Sequence, residues 1–442
     1  MKIMTMRLKA EILPIKKITV NKSQSITSLL VLSLAIALSS CSKPEPNWLK
    51  GNMHTHTFWS DGDEFPESVV EWYKEKGYDF LALTDHNVIL EGERWRNFPE
   101  DHDALHKYMD TFGEEWVEVH AHEEQEGIKK VRLKTLEEFR SRYEEPGSFL
   151  LIMGNEISNS HAEHLLAFHQ NKIIPSVQGN PDERERMIRE TVENVKAYRQ
   201  ETGINVHPTL AHPNFRWAIT AEMMLNVPEL RYFEVYNGHP QVNNDGDESR
   251  AGTDLIWDIV LANRLTKGEG ELLYGLATDD AHNYHGGGAG PGKGWVMVHS
   301  DELSPEGILD AIDKGDYYAS TGVTLQNIRS NGKKLEIEIE PREGAEYTTE
   351  FIGTLKGTDI KGKLTTDSEG NQIENSTLTY SRDIGKILAT SNSLNPSYSF
   401  TGDELYVRAR ITSTEEHVDP NSGKPLGKQK AWVQPVVQEK RK

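Results

Sequence analysis

Residues 52–62 read NMHTHTFWSDG and place two histidines one residue apart, with an aspartate five residues further on. Successive side chains of a strand point to opposite faces, so His54 and His56 at a strand end would face the same way. Two imidazoles and the nearby carboxylate of Asp61 are ligands that a metal ion accepts. The histidine pair alone is a common pattern, so the prediction of a metal site depends on further ligands elsewhere in the chain.

Length and charge limit the classes of protein to consider. The chain has 442 residues, which exceeds the roughly 100 to 200 residues of a usual domain and predicts two domains. Its formal net charge of -20 argues against a surface that binds nucleic acid or anionic membranes. Hydrophobic residues make up 36% of the chain, which is enough for a folded core and argues against global disorder.

The N-terminal segment predicts export. Basic residues precede an apolar run over residues 26–38, which is too short to span a membrane and indicates a signal peptide over residues 1–40. The sequence Leu-Ser-Ser-Cys that follows ends at Cys41, the only cysteine, and resembles the lipobox of bacterial lipoproteins. That resemblance implies lipidation of Cys41 and an exported protein that is anchored to the bacterial cell envelope through its lipid alone. Residues 41–47 are predicted to be a linker.

Strand and helix patterns alternate from residue 48 to residue 324. A strand before His54, a helix that begins near Pro66 and a buried strand over residues 78–84 fit within about 35 residues, the size of a βαβ unit. An acidic, poorly periodic insertion over residues 88–147 interrupts the pattern, and we expect it to lie over the mouth of a barrel. The sequence therefore predicts an α/β fold with a parallel (β/α) barrel.

Histidines and carboxylates recur where the apolar runs of this region stop. In a (β/α) barrel these positions form the C-terminal rim, where active sites are built. Nine such residues exceed the needs of one four-coordinate ion, so we predict two or three metal ions, with Glu156 positioned as a bridging carboxylate. Imidazole and carboxylate ligands without thiolate suit Zn, Mn or Fe. The nine predicted ligands are His54, His56, Asp61, His86, Glu156, His164, His212, Asp280 and His282.

The character of the chain changes at about residue 325. Apolar and charged residues alternate over residues 335–339 and 405–411, while Asn331-Gly332 and residues 419–423 supply turns. We therefore predict a small antiparallel β domain over residues 325–442, which we interpret as a sandwich. The lone histidine of this region, His417, is expected at the surface.

The ordered motifs resemble those of the PHP family, the polymerase and histidinol phosphatase superfamily. The resemblance extends over residues 48–322 and implies a distorted, TIM-like (β/α)7 barrel with a site for two or three metal ions. The matching motifs are His54-Thr55-His56 with Ser60-Asp61-Gly62, Thr84-Asp85-His86-Asn87, Gly154-Asn155-Glu156, His164-Leu165-Leu166, Ala211-His212-Pro213 and Asp280-Ala281-His282.

Position by position, the resemblance implies three ligand sets that share one carboxylate. The first ion would be bound by His54, His56, Glu156 and Asp280. The second ion would share Glu156 and add His164 and His212. The third ion would be bound by Asp61, His86 and His282.

Two positions leave alternatives open. His161 and His169 compete with His164, which is favoured only by its match to the His-Leu-Leu motif. Asp279 stands where the family commonly has a small hydroxyl residue, so it would either support a ligand or replace one.

The resemblance implies a metal-dependent phosphoesterase that hydrolyses small phosphomonoesters or phosphodiesters with a hydroxide generated from water by the metal ions. Catalytic roles are expected for Glu156, His212 and His282. Three further residues lie close to the rim motifs, and we predict that they contact the substrate: Arg216, Asn237 and His285.

Two alternatives to a phosphoesterase stay open. The same ligands would suit cleavage of a carboxylic ester, carbamate or amide, as implied by similarity to exported PHP proteins that resemble carbaryl hydrolase. The chain would otherwise be a non-catalytic surface binding protein whose β domain recognises glycan. The Gly-rich loop over residues 286–294 lacks the Gly-Lys-Ser/Thr ending of a phosphate-binding loop and is interpreted as flexible.

Overall fold

The computed structural model describes residues 48–161 and 163–438. The predicted signal peptide, the lipidation site Cys41 and the linker over residues 41–47 lie outside these ranges. Within the described ranges, no helix is both long enough and apolar enough to cross a membrane. All described residues belong to one compact unit, Pro46–Lys442.

Seven α-helices and nineteen strands occur in the described part of the chain. The helices are α1 (Pro66–Glu75), α2 (Asp103–Phe112), α3 (Leu136–Tyr143), α4 (Arg184–Thr202), α5 (Ala221–Leu225), α6 (Thr253–Lys267) and α7 (Pro305–Lys314). The strands up to residue 320 are β1 (Trp48–Asn52), β2 (Phe80–Leu83), β3 (Arg94–Pro99), β4 (Val119–Ala121), β5 (Ile128–Leu133), β6 (Leu150–Ile157), β7 (Leu165–Phe168), β8 (Thr209–Leu210), β9 (Tyr232–Asn237), β10 (Tyr274–Thr278), β11 (Trp295–His299) and β12 (Tyr317–Ser320). The remaining strands are β13 (Leu325–Ser330), β14 (Lys334–Ile339), β15 (Tyr347–Leu355), β16 (Lys386–Ser391), β17 (Ser397–Ser399), β18 (Glu404–Val418) and β19 (Pro425–Val436).

Helix ends follow from local sequence. Pro66 occupies the first turn of α1, where its missing N–H would have had no partner in the helix. Thr135 and Glu138 form a capping box at the start of α3, in which each side chain accepts a hydrogen bond from the other residue's backbone N–H. Gly203 ends α4 in the left-handed conformation, with a φ of 73° that favours glycine.

Thirteen described strands form one mixed sheet in the order β10-β9-β8-β7-β6-β2-β1-β11-β12-β19-β18-β15-β16. Strands β1, β2 and β6 are parallel neighbours, as are β8, β9 and β10, whereas β7 runs antiparallel between β6 and β8. The predicted α/β class is confirmed. The closed (β/α) barrel is not confirmed, because the described strands leave the sheet open at β10 and β16.

The segments that follow the strands meet at one edge of the sheet. Thr55, beyond β1, pairs in parallel with Ala281, beyond β10, and the backbone N–H of His56 donates to the Ala281 carbonyl at 2.9 Å. His86, beyond β2, pairs in the same way with Glu156 in β6. Residues from distant parts of the sequence therefore lie side by side at this edge.

The insertion over residues 88–147 is a folded subdomain. It contains α2, α3 and a three-stranded antiparallel sheet in the order β3-β5-β4. The ring of Phe65 stacks on Tyr108 of α2, with ring centroids 3.8 Å apart. Arg96 donates from one guanidinium nitrogen to the carbonyls of Phe58 and Ser60, at 2.9 and 2.8 Å. The insertion therefore supports the loop that follows His56.

The C-terminal strands extend the main sheet. Pairing of β12 with β19 carries the sheet past the predicted boundary at residue 325 into β18, β15 and β16. The side-chain amide of Gln434 bonds both backbone groups of Gly275 in β10, at 3.0 and 2.8 Å. A second sheet has the order β13-β14-β17. The division into domains at residue 325 stays a prediction.

Candidate metal centre

All nine predicted ligands meet at the edge of the sheet where the parallel strands end. Four groups of three or four of their ligand atoms lie within 4.8 Å of one another, and together these groups include every one of the nine residues. His164 precedes its strand, β7, whereas most of the others follow theirs. Because β7 runs antiparallel to β6, its first residue lies at the same edge as the ends of the parallel strands.

The first predicted ligand set consists of His54, His56, Glu156 and Asp280. Nε2 of His54 lies 3.4 Å from Glu156 Oε2 and 3.3 Å from Asp280 Oδ1. Nε2 of His56 lies 3.4 Å and 3.3 Å from the same two oxygens. Ligand atoms about 2.0 to 2.2 Å from one ion are about 3.0 to 3.5 Å apart at near-tetrahedral or right angles. These four side chains therefore have the spacing of ligands that share an ion.

The second group uses the other oxygen of the same carboxylate. Glu156 Oε1 lies 2.9 Å from His164 Nδ1 and 2.9 Å from His212 Nε2. His86 Nδ1 also lies 2.8 Å from Glu156 Oε2. Glu156 thus stands between separate sets of imidazoles, with one oxygen facing each set, which is the position of a bridging ligand.

The third group lies nearest to solvent. Asp61 Oδ1 lies 3.4 Å from His282 Nε2 and 3.6 Å from His86 Nε2. It is also 3.8 Å from His56 Nδ1, so His56 adjoins this group as well as the first. The side chain of Asp61 is 59% exposed, which leaves this part of the centre open to a substrate.

Unpaired atoms test whether the residues fit metal ions. Among the described residues, His54 Nε2, His56 Nε2 and Glu156 Oε2 are buried without a hydrogen-bond partner. A buried polar atom without a partner costs about 1 to 3 kcal/mol, and these three converge on one point. Imidazole nitrogens and carboxylate oxygens are ligands for divalent metals, so the residues fit the predicted group.

Charge compensation acts strongly within the cluster. Burial would lower the pKa of His54, but the surrounding carboxylates, led by Asp280, raise it well above its ordinary value. Burial would raise the pKa of Glu156, but the surrounding imidazoles, led by His86, hold it well below its ordinary value. Burial and neighbouring imidazoles lower the pKa of His56 to about 3. The bridging carboxylate is therefore ionised at neutral pH.

Glu234 supports the centre, although the sequence analysis did not single it out. Its Oε1 accepts a hydrogen bond from His54 Nδ1 at 2.7 Å and another from Thr278 Oγ1 at 2.6 Å. Its Oε2 accepts from the backbone N–H of His212 at 2.7 Å and from Asn237 Nδ2 at 2.7 Å. Because Glu234 accepts from Nδ1, Nε2 is the His54 atom that would bind a metal ion. In sequence, Glu234 is visible only as a single carboxylate within the apolar run of β9.

The loop after β1 is held by Asp85. Asp85 Oδ1 accepts hydrogen bonds from the Thr57 backbone at 2.8 Å and from Ser60 Oγ at 2.6 Å. A Cβ on Gly62 would lie 2.7 Å from the backbone of His56, so only glycine allows this close return of the chain. The loop therefore brings Asp61 back beside the histidine pair.

Asp279 is outside the four ligand groups. Its two carboxylate oxygens accept four hydrogen bonds of 2.6 to 2.8 Å, from the Tyr73 hydroxyl and from the backbone N–H groups of Gly292, Lys293 and Gly294. These contacts hold the Gly-rich loop and include none of the predicted ligands, so the two roles left open by the sequence stay predictions. The end of the Gly-rich loop, interpreted above as flexible, is fixed at three successive N–H groups.

His417 is buried, and its expected surface position was wrong. Its ring lies 5.7 Å from that of Tyr236, because the turn between β18 and β19 folds back onto the Gly-rich loop. At the same contact, Lys293 Nζ lies 3.5 Å from Asp419 Oδ2. The C-terminal strands therefore contribute to the surroundings of the rim.

Asn237 lies behind the centre. Its Nδ2 donates to Glu234 Oε2 at 2.7 Å and to Asp280 Oδ2 at 3.2 Å, and its Oδ1 accepts from the backbone N–H of His239 at 2.8 Å. The residue is only 1% exposed. The geometry thus gives Asn237 a role in orienting Asp280, and its predicted contact with substrate stays a prediction.

Arg216 and His285 are exposed beside the rim. Arg216 Nε donates to Gln241 Oε1 at 2.7 Å. His285 Nε2 lies 3.2 Å from the carbonyl oxygen of Asp63. Their predicted contacts with substrate stay predictions.

The structure separates His164 from its two competitors. His164 Nε2–H donates to the Asn159 carbonyl at 3.0 Å, which directs Nδ1 towards Glu156. His169 instead lies near Glu306, with Nε2 3.6 Å from Oε1. Neither His161 nor His169 belongs to any of the ligand groups among the described residues.

Backbone strain is concentrated at this edge. Asn87, His212, Arg216 and Asp280 have φ angles of 52°, 26°, 51° and 50°, in the region that disfavours residues other than glycine. Such conformations cost about 1 to 3 kcal/mol each and persist where surrounding contacts impose them. Two of these residues are predicted metal ligands, so part of the folding energy goes into the geometry of the centre.

A short stretch of the chain is similar in sequence to a known protein. No family model matches the chain. A 70-residue stretch is 33% identical to the DNA polymerase/3'-5' exonuclease PolX of Bacillus subtilis (strain 168) and covers 14% of this chain. The match spans only 12% of the length of that relative.

Two solved structures are similar to the chain. One is a two-domain protein from Bacteroides vulgatus ATCC 8482 that contains a predicted PHP-like metal-dependent phosphoesterase, with 16% identity, a TM-score of 0.39, and coverage of 87% of this chain and 97% of that one. The other is a proposed metal-dependent phosphoesterase from Bifidobacterium adolescentis ATCC 15703, with 14% identity, a TM-score of 0.27, and coverage of 61% of this chain and 96% of that one. The chain resembles PHP-like proteins, as its motifs predict.

Proposed function

We propose that this chain is a metal-dependent phosphoesterase that hydrolyses small phosphomonoesters or phosphodiesters. One observation carries the proposal: the two oxygens of Glu156 face separate sets of imidazoles, at 2.9 Å from His164 and His212 and at 3.4 Å from His54 and His56. Adjacent ligand sets that share a carboxylate suit two-metal hydrolysis of phosphate esters. The names of the two similar structures support the same class of reaction.

Metal ions held by these ligands would supply Lewis acidity and lower the pKa of water enough for attack at neutral pH. Hydrolysis forms a bond from the water oxygen to phosphorus and breaks the bond to the leaving oxygen, which departs as an alcohol after gaining a proton. The chain needs no serine or cysteine nucleophile for this reaction. We propose two or three ions, of Zn, Mn or Fe, in the three ligand sets described above.

The side chains of the centre would hold the metal ions and orient one another. Glu156 supplies the shared carboxylate, and Glu234 fixes His54 through a 2.7 Å hydrogen bond. His282 donates from Nδ1 to the backbone carbonyl of Asp280 at 2.9 Å, which directs Nε2 towards Asp61 and the open side of the centre. If two ions are bound and the third set is empty, Nε2 of His282 would be free to exchange a proton with the leaving oxygen. His212 adjoins Glu156 and is the second candidate for that role.

The proposal extends to the setting of the enzyme. We propose that the strands around the centre correspond to the distorted (β/α)7 arrangement of PHP proteins, with the β-rich region after residue 325 as an accessory domain. We further propose export, cleavage before Cys41 and anchoring through its lipid, so that the substrate is a small molecule met outside the cytoplasm.

Three substrates test the reaction in protein whose metal content is measured by elemental analysis. We expect hydrolysis of nitrophenyl phosphate or bis-nitrophenyl phosphate in preference to nitrophenyl acetate, and loss of turnover in Glu156→Gln. Preference for the acetate would favour the carboxyl ester alternative. A metal-loaded protein inactive on all three and on a broad panel of phosphate esters would rule out the phosphoesterase. Glycan binding that Glu156→Gln retains would then favour the binding-protein alternative.

A further inference from the structure

A cavity of about 300 Å³ adjoins the metal centre on the side of β7. His164 belongs to both, because it lines the cavity while its Nδ1 lies 2.9 Å from Glu156 Oε1. His164, a predicted metal ligand, therefore separates the centre from this cavity. The cavity is lined by Asn159, His161, His164, Arg184, Phe215 and Arg216, among others.

Arg184 forms one side of this cavity and is held in place by two neighbours. Its Nε donates to Glu163 Oε1, and its Nη1 donates to Asn375 Oδ1 at 3.2 Å. Glu163 is only 2% exposed and immediately precedes His164. The guanidinium is thus fixed beside the metal centre from two directions, one of them in the C-terminal region.

Arg216 forms the other side and has free donors. Its Nε bonds Gln241 Oε1 at 2.7 Å, and its guanidinium lies over the Phe215 ring at 5.1 Å. Among the described residues, nothing hydrogen-bonds its Nη1 or Nη2. The two free NH2 groups of a guanidinium fork match the two oxygens of a carboxylate or phosphate.

The backbone around Arg216 is strained. Arg216 and Trp217 have consecutive positive φ angles of 51° and 62°, each of which costs about 1 to 3 kcal/mol. The turn is tied to the centre, because the Phe215 N–H donates to the carbonyl of the predicted ligand His212 at 2.8 Å. Backbone strain of this kind is typical of residues whose position is needed to bind a ligand, which here would be Arg216.

The cavity carries an excess of positive charge, although the chain as a whole has a net charge of -20. Two arginines line the cavity, and the carboxylate of Glu163 pairs with only one of them. We propose that this cavity binds a second anionic group, a phosphate or carboxylate, carried by the same molecule whose phosphoester lies at the metal centre. This inference rests on the proposed function and narrows its substrates to compounds with two anionic ends.

Matched substrates test the inference by kinetics. Propyl phosphate has one anionic end, whereas 1,3-propanediol bisphosphate and 4-phosphonooxybutanoate add a phosphate or a carboxylate to a chain of similar length. We expect kcat/KM to be about tenfold or more higher for the two compounds with a second anion, since charge-assisted hydrogen bonds are stronger than neutral ones. Arg184→Gln and Arg216→Gln should each lose most of this preference. Arg329→Gln, an exposed arginine remote in sequence from the cavity, should retain it.

Calorimetry separates binding from turnover. The metal-loaded protein should bind 1,3-propanebisphosphonate more tightly than propylphosphonate, neither of which can be hydrolysed, and the two cavity variants should abolish that difference. Equal affinities and equal kcat/KM values in the wild-type protein would overturn the inference and leave the phosphoesterase intact. Inorganic phosphate binding as tightly as the bisphosphonate would overturn it in favour of a site for the free ion. Absence of phosphate-ester hydrolysis together with a retained binding preference would overturn the proposed function instead.

Discussion

His54 Nδ1 lies 2.7 Å from Glu234 Oε1, and both side chains are fully buried. A carboxylate that accepts the Nδ1–H of a ligand histidine fixes both its tautomer and its ring orientation. The same carboxylate also accepts from the backbone N–H of His212 at 2.7 Å. One buried glutamate thus orients a member of each of the two ligand sets that share Glu156.

Glu234→Gln is expected to weaken metal binding about 10- to 100-fold. The amide NH2 of glutamine would face at least one of the donors that now bond the carboxylate, which are the His54 Nδ1–H, the His212 N–H and the Asn237 Nδ2. Competition with a chelator, followed by elemental analysis, measures the change in affinity. Glu336→Gln, an exposed carboxylate in β14, should bind metal like the wild-type protein. Unchanged affinity in Glu234→Gln would contradict a role for the Glu234 carboxylate in orienting His54.

Asp279→Asn is expected to destabilise the fold by about 1 to 3 kcal/mol without loss of metal. Asparagine keeps one acceptor but presents an NH2 group to donors now satisfied by the carboxylate, including the Gly292 and Tyr73 groups at 2.8 Å. Thermal unfolding measures the first effect and elemental analysis the second. Loss of a metal ion from this variant would mean that Asp279 replaces a ligand.

Sequence alone was sufficient to select nine candidate ligands that meet in the structure, because metal ligands must be particular residue types and their order along the chain is distinctive. All nine meet at one edge, as the spacing of the strands predicts. Glu234 was not identified, because its partners His54 and His212 lie 180 and 22 residues away and nothing local marks their contact. A buried glutamate in a strand looks the same in sequence whether it orients a ligand or pairs elsewhere.

Strand direction and strand pairing were the limits of the fold prediction. An apolar run predicts a strand but not its direction, so the antiparallel course of β7 was not foreseen. Pairing of β12 with β19 joins residues more than a hundred positions apart, as in Ala319 with Trp432. Such pairing depends on tertiary packing, which local alternation does not encode. The α/β class is therefore confirmed, while the distorted (β/α)7 barrel stays a prediction.

Arg408→Met is expected to destabilise the protein by about 3 to 5 kcal/mol, because it leaves a buried carboxylate without its cation. Arg408 is fully buried and donates from Nε and Nη2 to Asp258 in α6, at 2.9 and 2.6 Å. Unfolding by denaturant measures the change. Replacing both partners, as Arg408→Met with Asp258→Leu, should recover part of it. Lys334→Met, which breaks the exposed pair with Glu336, should cost about 0 to 1 kcal/mol.

Acid should weaken the contact between α6 and β18, because Asp254 of α6 takes part in it. Burial would raise the pKa of this carboxyl, but Arg408 and Arg410 lower it from 3.8 to about 2. A lowered pKa stabilises the folded state above pH 3.8, and this contribution of about 2 kcal/mol is lost as the pH falls from about 4 to 2. Asp254→Asn should therefore be less stable than the wild-type protein at pH 6, with a difference that shrinks towards pH 2. A constant difference across this range in urea unfolding would contradict the assignment.

Removal of metal should lower the unfolding temperature of the wild-type protein. The Nε2 atoms of His54 and His56 are buried without a hydrogen-bond partner, and a cation bound there would compensate for their loss of water. A ligand that binds only the folded state stabilises it by about 2.7 kcal/mol at a hundredfold excess over its dissociation constant. Scanning calorimetry with and without a chelator measures the shift, which should reverse when metal is restored.

Glu156→Gln is the matched control for that shift. Its amide cannot serve as the bridging carboxylate, so this variant should lose metal and its unfolding temperature should respond little to the chelator. The imidazoles around Glu156 hold its pKa well below the ordinary value and so stabilise its negative charge. Glu156→Gln removes that charge. A wild-type protein that is shown to contain metal, yet unfolds at the same temperature after chelation, would contradict a metal centre built on Glu156.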